Sequence, residues 1–349
     1  MDEKRNLFGF SRKELESCAV ELGLPAFRGR QLYRWIYSKS ATDVDSMTDL
    51  PRVVRGQLAE SFIVRPPELL SQHRSQDGTV KFLFSLEGGN KVEAVYIPDH
   101  SEDRAEKRVR HTICLSTQIG CPLKCTFCYS GTVPFARNLT VGEILGQFQA
   151  VRDALLSATS RVNVVFMGMG EPLDNIEATA QSIGVLTDPH ALSIVARHIT
   201  VSTVGTSPDA IWKARDLPVC LAWSLHTTND ELRRKLVPTA KHSVLELRDA
   251  FVRVMQHRDA LLFVEMTLID SLNDSNEQAS ELADFLAVFS EVRVNLVPLN
   301  PGREGLAPSG EQRVLAFQQI LRDRGYFCAI RQPRGLDENA ACGQLAASG

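Results

Sequence analysis

Three closely spaced cysteines are the residues of this chain best suited to chemistry. Cys121, Cys125 and Cys128 lie within eight residues in the spacing C-x3-C-x2-C, with the aromatic Phe127 directly before the last cysteine. Thiolates are the usual ligands of iron–sulfur clusters, and so short a loop can wrap one face of a cubane cluster. Three protein ligands leave the fourth iron open. The spacing therefore predicts a 4Fe-4S cluster on which a small molecule docks.

Two other interpretations compete with the cluster. A structural zinc site normally uses four ligands in paired C-x2-C units, and only Cys125 and Cys128 have that spacing. The other is coincidence, because buried structural cysteines are common. The spacing favours the cluster over both. Cys18, Cys220 and Cys328 stand in apolar helical or strand contexts, and we interpret them as core residues.

Composition is that of a soluble globular protein. The 349 residues suffice for about two domains by a rough length rule, and 44 % hydrophobic residues can fill a core. No apolar run reaches the roughly 18 residues of a membrane helix, and the charged start Met1–Arg5 differs from a secretory signal. We therefore expect a cytoplasmic protein whose eight cysteines serve thiol, metal or redox chemistry. The net charge of −3 gives no general attraction to nucleic acid, although a local basic face would suffice.

The middle of the chain alternates between apolar runs and helical patterns, which is typical of a parallel α/β sheet. The predicted strands are His111–Ser116, Val162–Met167, His198–Thr203, Val219–Leu225, Leu261–Ile269, Val292–Leu299 and Tyr326–Ile330. The predicted helices between them lie near residues 140–156, 175–187, 207–215, 243–257, 276–289 and 310–324. About six such units are too few for a closed eight-stranded barrel. Residues 111–330 are therefore predicted to form a partial (βα)6 barrel, with its chemistry at the C-terminal ends of the strands.

The N-terminal segment has a different character. Residues 1–65 are predicted to form a small helical domain, with a capping box at Ser11 and Glu14 and a second helix over Phe27–Tyr37. The segment holds 11 Lys and Arg against 9 Asp and Glu, and Arg30 and Arg34 fall on one helical face. We interpret it as an RNA-docking domain, with an ordinary solvated helix face as the alternative.

Glycines and polar groups follow the predicted strands, at the rim where the cysteine loop also emerges. The second strand ends in Met167–Pro172, whose glycines permit close approach of the backbone to a ligand. Other strand ends are Thr200–Gly205, Ala222–His226 and Val297–Pro301. They deliver hydroxyl, imidazole and amide groups, which suit recognition of ribose and carboxylate groups. Each alone could be a strand cap, but their recurrence favours a binding site.

Three further residues are ambiguous from the pattern alone. Glu93 lies in the second strand of a predicted β-hairpin, Val80–Leu86 with Lys91–Ile97, within the linking region 66–110, and is expected there to be a surface carboxylate. Cys114 lies in a strand seven residues before Cys121, where a structural role is expected. Cys342 lies in the tail 331–349, which has neither a helical nor a strand pattern, so its thiol is either presented or a passive small residue.

Taken together, these motifs resemble those of the RlmN/Cfr family of radical S-adenosylmethionine (SAM) adenine methyltransferases, which modify RNA. The resemblance runs from about residue 7 to the C-terminus. It rests on Val92–Pro98, Cys114, Gly120–Cys128, Arg137–Thr140, Met167–Pro172, Ser224–His226, Asn300–Pro301 and Ala341–Leu345. The cluster motif alone would indicate only the superfamily, whereas the VYIP strand and the AACGQL tail are specific to the family. The resemblance implies that the partial barrel is a radical-SAM barrel.

The resemblance also implies a role for each candidate residue. The 4Fe-4S cluster would be bound by Cys121, Cys125 and Cys128. The SAM site would be lined by Gly170, Glu171, Ser202, Ser224, Leu225, His226 and Asn300. Cys342 would be the cysteine that becomes S-methylated, Cys114 its resolving partner in a transient disulfide, and Glu93 the general base.

The difficulty of the implied reaction explains this set of residues. Carbon 2 of an adenine is a poor nucleophile, so two SAM molecules are spent per turnover. The first methylates Cys342, and the second gives a radical that activates this methyl group for addition to the ring. Glu93 would then remove the ring proton, and Cys114 would release the methylated RNA. The adenine must also leave its stack, which favours looped RNA.

The implied function is methylation of carbon 2 of an adenine in 23S rRNA, and of an adenine in tRNA. The expected partners are these RNAs and an electron donor such as flavodoxin, and the expected state is a monomer without membrane association. One alternative is a Cfr-like enzyme that methylates carbon 8 of the adenine with the same cysteines. An alternative of another class is a non-catalytic RNA-binding protein with a structural metal site.

Overall fold

The computed structural model describes residues 4–99, 110–157, 160–300 and 304–347. Pro301 and residues 100–109 of the predicted linking region lie outside this part of the chain. The strands are β1 (Arg5–Asn6), β2 (Phe62–Ile63), β3 (Glu68–Arg74), β4 (Val80–Ser85), β5 (Lys91–Asp99), β6 (Arg110–Cys114), β7 (Gln118–Ile119), β8 (Arg137–Asn138), β9 (Arg161–Phe166), β10 (Ile199–Thr203), β11 (Cys220–Ser224), β12 (Leu262–Leu268), β13 (Val292–Pro298) and β14 (Phe327–Ile330). The helices are α1 (Arg12–Glu21), α2 (Phe27–Tyr33), α3 (Arg52–Ser61), α4 (Val141–Leu155), α5 (Ile176–Thr187), α6 (Pro208–Lys213), α7 (Asp230–Leu236), α8 (Val244–Met255), α9 (Asn276–Leu286) and α10 (Glu311–Asp323).

A ten-stranded sheet organises the molecule, in the order β14-β13-β12-β11-β10-β9-β6-β5-β4-β3. The seven strands from β6 to β14 are parallel neighbours, and each of the six connections between them carries at least one helix. β3 and β14 lie at opposite edges of the sheet. The predicted partial (βα)6 barrel is therefore confirmed, and all seven predicted barrel strands are present.

The barrel core forms where helices cover the parallel strands. In β11 the residues from Cys220 to Trp223 are all buried, as expected of a strand with both faces covered. Helix α8 buries Leu247, Phe251 and Val254, which recur at helical spacing on one face. The Trp223 ring stacks on Phe251 with centroids 4.7 Å apart. This packing holds the ends of the strands in fixed positions.

The predicted hairpin is confirmed, but it is more closely joined to the barrel than the sequence indicated. Strands β4 and β5 pair antiparallel from Val80 opposite Tyr96 to Ser85 opposite Lys91. Strand β5 then pairs with β6, so the hairpin continues the barrel sheet. Strand β3 extends it on the other side and was missed by the sequence analysis, as was helix α7.

The N-terminal helices pack against the outside of the barrel. The capping box of α1 is present, with Glu14 N–H donating to Ser11 Oγ at 3.3 Å, and α2 continues as a π-helical turn. The Arg152 guanidinium of α4 donates to the carbonyl of Tyr37 at 2.9 Å, which fixes this segment to the barrel. Arg30 and Arg34 are exposed, and Arg30 also forms an ion pair with Glu16.

Candidate radical-SAM active site

A cavity lies at the C-terminal ends of the parallel strands, as the partial barrel predicts. Most of the predicted site residues line it: Cys121, Cys125, Cys128, Gly170, Glu171, Ser202, Ser224, His226, Asn300 and Cys342. Leu225, Cys114 and Glu93 are not among its lining residues. Leu225 is buried, and its carbonyl accepts a hydrogen bond from Arg233 at 2.9 Å. Residues from distant parts of the sequence thus share one space.

The three clustered cysteines are carried by residues 120–136, which we call the cluster loop. Strands β7 and β8 pair antiparallel and close its base. Gly120 has φ +70°, and a Cβ at this position would lie 2.2 Å from the Pro134 carbonyl oxygen, so a side chain cannot be accommodated without movement. Cys128 N–H donates to the Cys125 carbonyl at 3.1 Å, which folds the ligand segment into a compact turn.

The thiols of the cluster loop are suited to metal rather than to free thiolate chemistry. Burial raises the pKa of Cys121 to about 12 and that of Cys125 well above its usual range, and the neighbouring Cys128 charge raises both. Such thiols lose their protons when a metal takes the place of the proton. Nowhere in the described ranges are three His, Cys, Asp or Glu side chains grouped to hold a single metal ion. In a cubane cluster each thiolate binds a different iron, so the three cysteines are spaced more widely than the ligands of a single metal ion.

The turn after β9 brings Gly170 and Glu171 to the cavity. Gly170 has φ +98°, and a Cβ there would lie 2.5 Å from the Cβ of Gln118 at the base of the cluster loop. The Glu171 carboxylate accepts hydrogen bonds from Leu173 N–H at 3.1 Å and Val204 N–H at 3.0 Å. Its burial raises the pKa of this carboxyl to about 7, although both hydrogen bonds oppose the shift. Glu171 thereby ties the ends of two adjacent strands together.

The next two strand ends supply hydroxyl and imidazole groups. Ser202 and Ser224 lie side by side on β10 and β11, with their hydroxyl oxygens 3.0 Å apart. His226 has the left-handed backbone conformation, φ +62°, which is uncommon outside glycine and is often found at functional sites. Its Nδ1 accepts a hydrogen bond from Thr267 N–H at 3.1 Å, and burial lowers its pKa to about 3. The imidazole is therefore neutral, with Nε2 carrying the proton.

Asn300 joins the strand rim to the C-terminal tail. Its amide nitrogen donates to the Cys342 carbonyl at 2.8 Å, which fixes the backbone at that cysteine. The amide oxygen of Asn300 is buried and has no hydrogen-bond partner among the described residues. An unpaired buried acceptor is costly unless a ligand donates to it. Asn300 thus offers a free acceptor to a molecule in the cavity.

The tail is anchored to the cluster loop on either side of the Asn300 contact. Tyr129 N–H donates to the Gly343 carbonyl at 2.7 Å, and Ser130 Oγ donates to the Leu345 carbonyl at 2.7 Å. Cys342 is solvent-exposed and lines the cavity. Protein atoms nevertheless surround its thiol, and this burial raises the pKa of the thiol, with the charge of Glu265 as the second cause. Of the two expectations for this residue, the geometry fits the presented thiol.

Cys114 lies at the end of β6 opposite Val95, on the sheet face that also carries Glu93 and that the tail amides of Ala346 and Ala347 contact. The thiol is buried, and its pKa is raised first by burial and then by the charge of Cys342. Cys18, Cys220 and Cys328 are buried and are absent from the residues that line the cavity, in agreement with their prediction as core residues.

The expectation that Glu93 is a surface carboxylate is wrong. The residue is 1 % exposed, because β5 has neighbours on both sides of the sheet and the tail covers it. One carboxylate oxygen lies 3.3 Å from Lys81 Nζ, and the other accepts from the amides of Ala346 and Ala347 at 3.0 and 2.9 Å. The periodicity of a single strand could not reveal this cover, which comes from a segment more than 250 residues away.

Glu265 is a site residue that the sequence analysis missed. It lines the cavity from β12, in register with Ser224 of β11, and accepts a hydrogen bond from Asn295 at 2.8 Å. Burial raises the pKa of this carboxyl. A carboxylate inside the apolar run Phe263–Met266 was the available signal, because such a residue is seldom buried without a function or a partner.

Comparisons with known proteins agree with this geometry. Residues 5–64 match the family described as the ribosomal RNA large subunit methyltransferase N-terminal domain, and residues 115–285 match the radical SAM superfamily. A dual-specificity RNA methyltransferase RlmN from Nitratiruptor is 40 % identical, covering 98 % of this chain and 97 % of its own. One from Dinoroseobacter shibae is 39 % identical, covering 98 % of this chain and 89 % of its own.

The chain belongs to the RlmN family of radical-SAM methyltransferases. A radical SAM methyltransferase from Sphaerobacter thermophilus has the same fold, with a TM-score of 0.89, 37 % identity, and coverage of 99 % of this chain and 100 % of the other. Membership of the RlmN family disfavours the non-catalytic alternative. None of the described helices is long and apolar enough to cross a membrane.

Family membership implies a 4Fe-4S cluster and SAM, and the residues present fit both groups. Three cysteines of one short loop face the cavity and leave no fourth cysteine of that loop for the remaining iron. The unpartnered oxygen of Asn300 and the paired hydroxyls of Ser202 and Ser224 suit the amino and ribose groups of SAM. Because these contacts would be made by polar groups already held in place, the rim is built for a ligand of mixed polarity.

Proposed function

We propose that this protein is a radical-SAM RNA methyltransferase that methylates carbon 2 of an adenine in 23S rRNA, and of an adenine in tRNA. Its RlmN relatives are named as dual-specificity RNA methyltransferases. Two SAM molecules are consumed for each methyl group transferred, one as methyl donor to Cys342 and one as the radical source. The observation that carries the proposal is that the tail brings Cys342 to the cavity lined by the three clustered cysteines, where Asn300 and Tyr129 hold the backbone of the tail.

The proposed cluster ligands are Cys121, Cys125 and Cys128, and the proposed SAM contacts are Gly170, Glu171, Ser202, Ser224, Leu225, His226 and Asn300. When bound, the cluster and SAM supply a one-electron reduction that yields a radical able to take a hydrogen atom from a methyl group. Glu171 and the neutral His226 keep the strand ends in position for that ligand. The electron comes from a protein donor such as a flavodoxin.

Cys342 is the carrier of the one-carbon unit. Its backbone is held by the hydrogen bond from Asn300 and by the contact of Gly343 with the cluster loop. The side chain therefore points into the cavity from a fixed base, which suits a thiol that must meet SAM and then the base. Burial raises the pKa of this thiol, so a proton acceptor is needed before methylation, and Glu265, a carboxyl that lines the same cavity, is the proposed acceptor.

Cys114 is the resolving thiol. Its sulfur bonds to the sulfur of Cys342, the bond between Cys342 and the one-carbon unit breaks, and the thiol proton of Cys114 passes to that carbon, which becomes the methyl group. A disulfide between the two cysteines is the other product, and a cellular thiol reductant reopens it. The position of Cys114 supports this step, because it is opposite Val95 and therefore shares with Glu93 the sheet face that the amides of the tail contact.

Glu93 is the general base that takes the proton of the ring carbon. The adduct formed by radical addition carries one unpaired electron, which would return to the cluster as the proton leaves, so that a closed-shell adduct remains for Cys114 to release. The buried carboxylate is bound by Lys81 on one side and by tail amides on the other. The tail contacts must be exchanged for RNA contacts when the adenine enters. The N-terminal segment, with Arg30 and Arg34 exposed on its second helix, supports RNA docking by phosphate contacts.

Nucleoside mass spectrometry tests this function directly. Ribosomal RNA and tRNA are digested from a strain that contains the gene, from a strain that lacks it, and from the latter complemented with the Cys121→Ala variant. We expect 2-methyladenosine only where the intact gene is present. A chromatographically distinct 8-methyladenosine would establish the Cfr-like alternative, and unchanged adenosine in every strain would refute RNA methylation.

A further inference from the structure

Helix α7 and its following turn support the cluster loop from below. The carbonyl of Leu236 accepts a hydrogen bond from Thr126 N–H at 2.9 Å, and Thr239 Oγ1 donates to the Leu123 carbonyl at 3.1 Å. Cys121, Cys125 and Leu236 share a small apolar cluster that is separate from the main core. Because the ligand segment rests on α7, a charge on the buried face of this helix acts on the cluster site.

Arg233 provides such a charge. It is 1 % exposed, and its guanidinium donates to two main-chain carbonyls, those of Leu225 at 2.9 Å and Val204. Nε has no hydrogen-bond partner among the described residues. The other two nitrogens bind main-chain carbonyls, and neither binds a carboxylate. A buried cation without a bonded anion is costly, so a protein normally keeps one only where an anion is close.

Arg233 lies beside the cluster loop, because Val204, whose carbonyl accepts from its guanidinium, packs in the same small apolar cluster as Cys121 and Cys125. Cys125 would be a thiolate once it binds iron. Burial lowers the pKa of Arg233 to about 10, and the charge of Cys125 is the first effect that opposes the shift, ahead of Asp230 and Glu171. The guanidinium remains charged at neutral pH. The same charge acts in return on Cys125. The interaction therefore links this helix to one corner of the cysteine triad.

We propose that Arg233 is an electrostatic positioning residue for the iron–sulfur cluster, holding the strand-end carbonyls of Val204 and Leu225 and compensating the cluster charge from the side of α7. The inference rests on the proposed cluster ligands but requires neither RNA nor methyl transfer. Reduction adds one negative charge to the cluster. A fixed cation nearby therefore stabilises the reduced form and raises the reduction potential.

The test is the reduction potential of the reconstituted cluster, measured anaerobically by titration with electron paramagnetic resonance detection. Removal of the charge in Arg233→Met should shift the equilibrium toward the oxidised cluster by about tenfold, which is about 59 mV for a one-electron couple. Arg233→Lys keeps the charge without the planar fork and should retain most of the wild-type potential. Arg234→Gln removes an exposed charge from the same helix and should leave the potential unchanged.

Iron and sulfide content and circular dichroism accompany each measurement. A folded, fully loaded Arg233→Met with the wild-type potential would overturn the proposal, as would a potential for Arg233→Lys as low as that of Arg233→Met. If Arg233→Met and Arg233→Gln fold without loading iron while Arg233→Lys loads fully, the need for a positive charge is supported. If none of the three variants loads iron, the paired hydrogen bonds from the guanidinium to the two carbonyls matter rather than the charge, and the proposal fails. RNA methylation by the wild-type protein is assayed separately, so the two hypotheses fail independently.

Discussion

The barrel rim and the Glu93 site are built in different ways. At the rim, backbone amides of the barrel itself hold the polar groups, with Val204 N–H on Glu171 and Thr267 N–H on His226. Glu93 instead shares its carboxylate between Lys81 and two amides of the C-terminal tail. Glu171 and His226 are therefore held independently of the tail, although Asn300 of the same rim also binds the Cys342 carbonyl. Glu93, the proposed general base, depends on the tail segment, which also carries the proposed methyl carrier Cys342. We therefore expect cofactor binding to precede rearrangement of the tail.

Loss of a cluster ligand gives the largest expected effect, because the rim without its metal has no radical chemistry. Cys121→Ala should abolish both 5′-deoxyadenosine formation and RNA methylation. Iron and sulfide analysis of the anaerobically reconstituted protein, followed by product assays, checks this. The matched control is Cys220→Ala, which removes a buried cysteine that does not line the cavity. Full iron loading of Cys121→Ala would contradict the assigned ligand set.

The second prediction separates the rim from the tail chemistry. Cys114→Ala should still cleave SAM once but should accumulate a covalent protein–RNA adduct, because no thiol is left to attack Cys342. Denaturing electrophoresis with labelled RNA detects the adduct, and product yield should stay below one equivalent per protein. Cys328→Ala is the control for loss of a buried thiol. Clean release of methylated RNA by Cys114→Ala would rule out the resolving role.

The third prediction addresses Glu93 as the proposed general base. Glu93→Gln should lower the rate of methylation by roughly 10²–10⁴-fold, the usual contribution of a general base. Because Glu93 does not line the cavity, single-turnover 5′-deoxyadenosine formation should change little. Both products are measured in one quenched time course. Glu87→Gln, in the exposed turn of the same hairpin, should behave like the wild type. An equal loss of both products would show that Glu93 supports the rim rather than the base step.

The same contrast explains what the sequence could and could not predict. The meeting of the clustered cysteines with the strand ends at one cavity was predictable, because short-range spacing and recurring β/α units determine where Cys121, Ser224 and Asn300 emerge. The cover over Glu93 was not, since the tail amides of Ala346 and Ala347 reach it through tertiary packing alone. The family resemblance assigned that residue a role, but only the structure shows its partners. Arg233 was also missed, because helix α7 is only seven residues long and has a largely charged sequence.

The smallest expected effect concerns the rim in the absence of cofactor. Burial raises the pKa of Glu171 to about 7, above the value of about 4.3 for a free carboxyl. The folded protein therefore holds a proton that the unfolded chain has lost between these values, and its free energy of unfolding falls as pH rises through them. Over the range from about pH 5 to pH 8 this amounts to at most about 3 kcal/mol.

Urea unfolding of the apoprotein tests this proton linkage. Glu171→Gln cannot titrate, so its free energy of unfolding relative to the wild type should rise between about pH 5 and pH 8. The loss of one backbone hydrogen bond in this variant is independent of pH and does not alter the trend. Glu177→Gln, an exposed carboxylate on α5, should show a pH profile parallel to that of the wild type. A parallel profile for Glu171→Gln as well would mean that the rim carboxylate is ionised in the folded protein, and that the strand ends are held by a charge rather than by a neutral group.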